Sequence, residues 1–140
     1  MKIGILGCGQ LGKMLIQSAQ DLDFEIWILE NDPNCPCAKI CHEFVLGDIK
    51  DFQTVYNFGK NVDVITIEIE NVNIEALKQL ESEGKSVYPQ PNIIENIKNK
   101  ITQKEFFKLN DIPTSDFIVV KNKKDIENNL GFLPAVNKIG

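Results

Sequence analysis

Three glycines near the N-terminus could bring a ligand close to the main chain. Residues 7–12 read Gly-Cys-Gly-Gln-Leu-Gly, between a short apolar run and a helical pattern, which is the context of the G-x-G-x-x-G fingerprint. Gly7 permits a tight turn, Gly9 lets a phosphate or hydroxyl approach the backbone, and Gly12 lets the helix pack closely on the sheet. The first N–H groups of that helix could then bind an anion.

An acidic residue at the end of the second apolar run fits a dinucleotide site. Glu30 closes that run, near the roughly 20-residue spacing at which such proteins place the acid that binds a ribose. Together with the glycines, Glu30 favours NAD as the ligand. The same glycines also serve turns and close packing in doubly wound domains that bind no dinucleotide, so these residues leave both interpretations open.

Two carboxylates follow a later apolar run. Glu68 and Glu70 lie within Thr-Ile-Glu-Ile-Glu-Asn at 66–71, at the predicted C-terminal end of a central strand, which is the edge where open α/β sheets bind ligands. Strand alternation would direct both side chains to one face, where one could accept hydrogen bonds from substrate hydroxyl or amino groups. The alternatives are solvated residues at the rim, or caps of the next helix.

The cysteines and the single histidine suggest a metal site only weakly. Cys35, Cys37 and Cys41 precede His42, but they lack the paired C-x2-C spacing of a structural zinc site. Because no secretion signal is recognisable, we expect these thiols and Cys8 to be reduced and to pack as small apolar groups in a loop leading into a short helix. A nucleophilic triad through His42 is not supported.

Short apolar runs alternate with amphipathic segments over the first ninety residues. Strands are predicted at 2–7, 25–29, 44–46, 62–69 and 86–88. The first helix is predicted to pack on the sheet through a face that contains Leu11, Met14, Leu15, Ser18, Ala19 and Leu22. Strands that alternate with helices of about ten residues imply right-handed crossovers and an α/β fold, a Rossmann-like, doubly wound parallel sheet.

The composition changes near residue 91. Residues 91–110 predict one or two polar helices, and the following segment predicts a strand at 116–120, a helix at 123–130 and a strand at 134–138. We therefore divide the chain into a Rossmann-like domain at 1–98 and a helical connector with the beginning of another domain at 99–140.

Composition excludes several classes of protein. With 140 residues, 43% of them hydrophobic and 25% charged, the chain is long and apolar enough to bury a core, so disorder is excluded. A net charge of -5 has the wrong sign for a primary nucleic-acid partner, and the apolar runs are too short to span a bilayer. We expect a cytoplasmic protein.

Five segments together resemble one family. They are GCGQLGKM at 7–14, ENDPNCP at 30–36, DVITIEIENV at 63–72, KSVYPQP at 85–91 and IPTSDF at 112–117. In order, and over nearly the whole chain, they closely resemble the ATPase subunit of phosphoribosylaminoimidazole carboxylase. This family, also called 5-(carboxyamino)imidazole ribonucleotide synthase, belongs to the ATP-grasp superfamily. The formate-dependent glycinamide ribonucleotide transformylase is a relative with a similar layout.

The resemblance implies a ligase of de novo purine biosynthesis. Such an enzyme uses ATP and bicarbonate, with Mg²⁺, to carboxylate the exocyclic amine of 5-aminoimidazole ribonucleotide, and a homodimer is expected. Its N-terminal domain is a Rossmann-like pre-ATP-grasp domain that does not bind NAD. By position, Gln10 and Leu11 would contact the ribonucleotide through the glycine turn, and Glu68 would hold it from the strand end. Lys100 and Lys138 would contact ATP, since an ammonium is a good phosphate partner.

The chain departs from the family pattern near its end. Asn137 stands where an apolar strand residue is usual, and the sequence stops at Gly140, before the family's glycine-rich phosphate loop and its magnesium-binding carboxylates. We therefore expect an N-terminal portion of the ligase that is catalytically incomplete by itself, because phosphoryl transfer needs metal and cationic stabilisation. The alternatives are an NAD(P)-binding domain of a reductase and a non-catalytic binding module.

Overall fold

The computed structural model describes residues 1–138, which form two compact units. The first unit is Met1–Glu95, and the second begins at Asn96. The strands, all in the first unit, are β1 Lys2–Leu6, β2 Glu25–Glu30, β3 Glu43–Leu46, β4 Val64–Ile67 and β5 Ser86–Val87. The α-helices are α1 Gln10–Gln20, α2 Phe52–Lys60, α3 Ile74–Ser82, α4 Pro91–Lys98, α5 Lys100–Leu109 and α6 Lys123–Glu127, and a 3-10 turn spans Leu130–Phe132.

The five strands form one parallel sheet in the order β3-β2-β1-β4-β5. The chain moves outward from β1 to β3, then returns to the other side of β1 to form β4. This reversal of strand order creates a switch point between β1 and β4, where doubly wound folds bind ligands. The predicted α/β fold class is confirmed.

Apolar residues cover both faces of the sheet. One core cluster joins Leu6 and Leu29 to residues of α2 and α3, and the other joins Ile5 and Ile28 to Ile16 of α1. Neighbouring strand residues therefore enter opposite cores, because side chains alternate across a strand. A sheet buried on both faces accounts for the near-continuous apolar runs in the sequence.

The buried face of α1 agrees with the predicted one only at Ala19. Leu11 and Met14 are 67% and 62% exposed, whereas the buried residues of the helix are Gly12, Ile16 and Ala19. The helix carries two apolar stripes about a quarter of a turn apart, and the sheet takes the stripe with two small residues. Small side chains let the helix axis approach the strands, so close packing favours this stripe although the other carries the larger apolar side chains.

Strand β4 is shorter than predicted. It ends at Ile67, and residues 68–70 form a bend, so the two-residue alternation expected for Glu68 and Glu70 does not continue through them. Neither glutamate is the N-cap of α3, because Asn73 fills that position and its side chain accepts a hydrogen bond from the Ala76 N–H at 2.9 Å.

The second unit contains less regular structure than predicted. Residues 116–120 and 134–138 were both predicted to be strands, and neither segment is a strand in the structure. A lone strand leaves its backbone N–H and C=O groups unpaired. A segment rich in β-forming residues therefore becomes a strand only where another strand lies beside it to pair with. Helix α6 ends at Glu127, earlier than predicted. None of the helices within residues 1–138 has the length and apolar character needed to cross a membrane.

Candidate functional site

The glycine-rich turn leaves donors at the start of α1. Gly7 has a φ of +107° and its N–H donates to the Leu29 carbonyl at 3.1 Å, so the chain turns sharply as it leaves β1. Gly9 is the N-cap and offers no side chain to cap the helix, and the first helical hydrogen bond runs from the Lys13 N–H to the Gly9 carbonyl. The N–H groups of Gln10 and Leu11 therefore have no acceptor within the helix.

Glu68 lies directly across this turn. Its N–H donates to the Leu6 carbonyl at 2.8 Å, which holds the residue beside the end of β1. A Cβ placed on Gly7 would be 3.0 Å from Glu68 Oε2, and a Cβ on Gly9 would collide with Oε1. The half-buried carboxylate thus occupies the space that the absent glycine side chains leave.

Gly12 completes the close packing. A Cβ at this position would lie 3.2 Å from Cys37 Sγ and 3.4 Å from Glu68 Cγ. The glycine spacing therefore has a structural cause that needs no dinucleotide, since all three glycines make room for Glu68, and Gly12 also for the loop after β2.

The turn combines a negative charge with free N–H donors. Glu68 can accept hydrogen bonds from hydroxyl or amino groups, and the N–H groups of Gln10 and Leu11 can donate to a ligand oxygen. A pyrophosphate near Gly9 would face the Glu68 carboxylate, and two like charges at such a distance repel. The geometry thus suits a ligand that carries hydroxyl or amino donors better than it suits a dinucleotide.

Glu30 has a local structural contact. Its Oε1 accepts a hydrogen bond at 2.7 Å from the N–H of the next residue, Asn31. The carboxylate therefore stabilises the bend that follows β2. This contact gives the acid at the end of β2 a structural role that does not require a bound ribose.

A family model places the chain among known proteins. Residues 1–99 match the model of the ribonucleotide synthetase preATP-grasp domain, which covers more than half of the chain. The chain belongs to the ribonucleotide synthetase preATP-grasp family. The resemblance seen in the sequence is thereby confirmed at the level of the family.

One relative of this chain is an N5-carboxyaminoimidazole ribonucleotide synthase of Staphylococcus aureus, which is 37% identical to it over 125 residues. That alignment covers 89% of this chain and 33% of the relative. A crystal structure of the Staphylococcus aureus N5-carboxyaminoimidazole synthetase complexed with ADP superposes with a TM-score of 0.82 at 35% identity, covering 93% of this chain and 35% of that one.

A third similar structure carries a ribonucleotide. It is the N5-carboxyaminoimidazole synthase of Aspergillus clavatus in complex with ADP and 5-aminoimidazole ribonucleotide, with a TM-score of 0.74 and 38% identity over 82% of this chain and 31% of that one. The preATP-grasp chain described here thus spans about a third of the length of the proteins it resembles.

The two lysines expected to contact ATP lie in the second unit of the preATP-grasp chain. Lys100 is at the start of α5, and its Nζ donates to the Ile97 carbonyl at 3.0 Å. Lys138 is exposed and is the last described residue. The structure therefore groups Gln10, Leu11 and Glu68 at one turn and places both lysines in the other unit.

The cysteines are arranged differently from the expectation of four free thiols. Cys8 and Cys35 form a disulfide, whereas Cys37 and Cys41 are free. Residues 31–42 form turns and bends without the predicted short helix. The sequence contained a signal for this pairing: Cys8 and Cys35 follow β1 and β2, and neighbouring parallel strands end at the same edge of the sheet.

Cys37 is fully buried beneath the turn. Its N–H donates to Cys8 Sγ at 3.3 Å, and its Sγ donates to the Gly9 carbonyl at 3.5 Å. Burial, followed by the negative charge of Glu68, raises the pKa of the Cys37 thiol to about 11. Cys37 therefore stays protonated near neutral pH and packs as an apolar residue, as expected.

The single histidine, a candidate metal ligand in the sequence, contacts the backbone. His42 Nδ1 accepts a hydrogen bond from the Ile26 N–H at 3.0 Å, so the ring extends the pairing of β2 with the segment before β3. In the part of the chain that the structure describes, no group of three or more His, Cys, Asp or Glu side chains is placed to hold a metal ion.

Proposed function

We propose that this chain is the ribonucleotide-binding portion of an ATP-dependent ligase that carboxylates 5-aminoimidazole ribonucleotide with bicarbonate in purine biosynthesis. The observation that carries the proposal is the Glu68 carboxylate lying across the glycine-rich turn at the β1–β4 switch point. Family membership and the names of the similar enzymes support the choice of substrate.

In this proposal each residue of the turn has a defined role. Glu68 accepts hydrogen bonds from hydroxyl groups of the ribonucleotide. Hydroxyl groups are uncharged, so the carboxylate does not repel them as it would repel a phosphate. The N–H groups of Gln10 and Leu11 donate to ligand oxygen atoms, and Gly9, which has no side chain, leaves room for the Glu68 carboxylate beside them.

The second unit is proposed to begin the nucleotide-binding part of the ligase. We place the boundary after residue 98, near the end of the family match at residue 99 and of the first compact unit at Glu95. Lys100 and Lys138 would then donate to ATP phosphates. The ADP complex of the similar Staphylococcus aureus synthetase supports ATP as the nucleotide.

The complete ligase is proposed to supply the metal and cationic groups that phosphoryl transfer needs. The chain spans about a third of its relatives, and phosphoryl transfer requires metal and cationic groups around the transferred phosphate. We therefore infer that the 140-residue chain alone does not turn over ATP, that the complete enzyme uses Mg²⁺, and that it acts as a cytoplasmic homodimer.

Binding of 5-aminoimidazole ribonucleotide to the 140-residue chain tests the role of Glu68. Calorimetric titration of the Glu68→Gln variant should show affinity reduced about tenfold or more, because a hydrogen bond to a charged group contributes roughly 1.5–3 kcal/mol. Glu43→Gln is the matched control, since Glu43 is an exposed residue at the N-terminal end of β3. Equal affinity of both variants, or no saturable binding by the unaltered chain at millimolar ligand, would contradict the proposal.

The two lysines are tested with ADP. Lys100→Ala and Lys138→Ala should each weaken ADP binding, because each removes a lysine ammonium that would donate to the phosphates of the nucleotide. Lys124→Ala removes an equal charge from α6 and should leave ADP affinity unchanged. Equal losses in all three variants would assign the effect to net charge and remove the specific roles of Lys100 and Lys138.

A further inference from the structure

The disulfide joins two segments of the candidate site. Cys8 lies between Gly7 and Gly9 in the glycine-rich turn, and Cys35 lies in residues 31–42, which we call the cysteine loop. Their Cα atoms are 5.8 Å apart, within the range that a disulfide spans without moving the backbone. The bond therefore connects the turn beside Glu68 to a loop that has no regular secondary structure.

The two cysteine residues differ in their exposure to solvent. Cys8 is 3% exposed, whereas Cys35 is only partly buried and sits between the exposed residues Asn34 and Pro36. Cys35 is thus the more accessible end of the disulfide to a thiol in solution. Accessible disulfides of this kind are the ones that exchange with small thiols.

The neighbouring thiol does not compete for this exchange. Cys37 is fully buried and its raised pKa, about 11, keeps it protonated near neutral pH. Exchange requires a thiolate as the attacking group. Transfer of the bond to Cys37 is therefore slow.

We propose that Cys8 and Cys35 form a reversible redox-modification site that ties the glycine-rich turn to the cysteine loop when it is oxidised. Reduction begins when the thiolate of a small thiol such as glutathione attacks Cys35 Sγ. The disulfide breaks, Cys8 leaves as a thiolate and takes up a proton, and a mixed disulfide remains on Cys35. A second glutathione thiolate attacks the glutathione sulfur of that mixed disulfide, and Cys35 leaves as a thiolate that takes up a proton. Two glutathione thiols are oxidised to one glutathione disulfide, and the reverse sequence reoxidises the protein.

The modification alters a site that is built on close contacts. Cys8 accepts a hydrogen bond from the Cys37 N–H, and Cys37 in turn contacts Gly9 and lies next to the position of Gly12. The oxidised bond restricts the turn before a ligand arrives, which lowers the entropic cost of binding. Only this consequence for the ribonucleotide rests on the proposed function.

The test is a redox titration of the 140-residue chain in buffers that span a wide range of reduced to oxidised glutathione. Acid quenching, alkylation and peptide mass spectrometry should show the Cys8–Cys35 link at the oxidising end and two alkylated thiols at the reducing end, with return on reversal. The Cys41→Ser variant should behave like the unaltered chain, and the Cys35→Ser variant should form no internal link. Free thiols at every ratio, or a dominant link to Cys37 or Cys41, would overturn the proposal.

Hydrogen exchange of the two forms tests whether the bond ties the turn. Amides of residues 7–12 and 31–37 should exchange several-fold more slowly in the oxidised chain, because opening of either segment then requires both to move. Exchange in α5, a helix of the second unit that has no buried residue, should be the same in both forms, because its amides exchange by local opening. Equal exchange of the turn in both forms would refute the tie. No ribonucleotide is present in either measurement, so failure of the proposed function leaves their outcome unaffected.

Discussion

The Glu68 carboxylate lies so close to Gly9 that a Cβ on that glycine would collide with Oε1. The glycine pattern of the first turn and the acid after β4 are thus two parts of one arrangement, although 59 positions of sequence separate them. Neither can change in size without moving the other.

This contact predicts the effect of a single methyl group. Gly9→Ala should lower the free energy of unfolding by about 1–3 kcal/mol, because the added methyl overpacks the contact with Glu68. Gly131→Ala is the matched control, since nothing lies within 4 Å of the added methyl there, and its effect should stay within about 0.5 kcal/mol. Urea denaturation measures both.

The double variant Gly9→Ala with Glu68→Ala separates the clash from other effects. Removing the carboxylate frees the space that the new methyl needs, so the two changes should be less destabilising together than their sum. Strict additivity would mean that Glu68 is not the group that requires glycine at position 9.

The same carboxylate predicts that the chain does not bind NADH. A pyrophosphate at the turn would face Glu68 at close range, so titration should produce no saturable change in NADH fluorescence. Saturable binding that is lost in a Glu30→Ala variant would instead support the dinucleotide interpretation.

Reduction of the disulfide should lower stability. In the chain-entropy model, a crosslink across a sequence separation of 27 restricts the unfolded chain by about 3.5 kcal/mol at most. Thermal unfolding with and without dithiothreitol should therefore give a lower Tm for the reduced chain. A Tm that does not respond to reductant in the unaltered chain would contradict this expectation, and Cys35→Ser should show no response.

The buried Cys37 thiol predicts a loss of stability in alkali. Burial raises its pKa in the folded chain from 9.0 to about 11, so over this interval the folded state holds a proton that the unfolded state has released. The contribution of the protonated Cys37 thiol to the free energy of unfolding is complete below pH 9 and is lost as pH rises through 11. Stability should therefore fall less steeply between these values in Cys37→Ala than in the unaltered chain, and parallel pH profiles would contradict the assignment.

The local sequence was sufficient to predict much of the first unit. Alternating apolar runs and helical patterns predicted five strands in nearly their observed places. The glycine turn was also predicted, because its requirement is local: a backbone conformation that side chains disfavour. The resemblance added the grouping of Gln10, Leu11 and Glu68, and the structure places all three at one turn.

Tertiary packing decided the rest. Whether α1 buries the stripe of Leu11 or that of Ile16 depends on how closely the helix must approach the sheet, which no helical periodicity encodes. The end of β4 before Glu68, the contact of its carboxylate with Gly9 and the pairing of Cys8 with Cys35 are meetings of residues distant in sequence. Periodicity within one segment indicates which faces are apolar, whereas these contacts depend on which strand ends become neighbours when the sheet assembles.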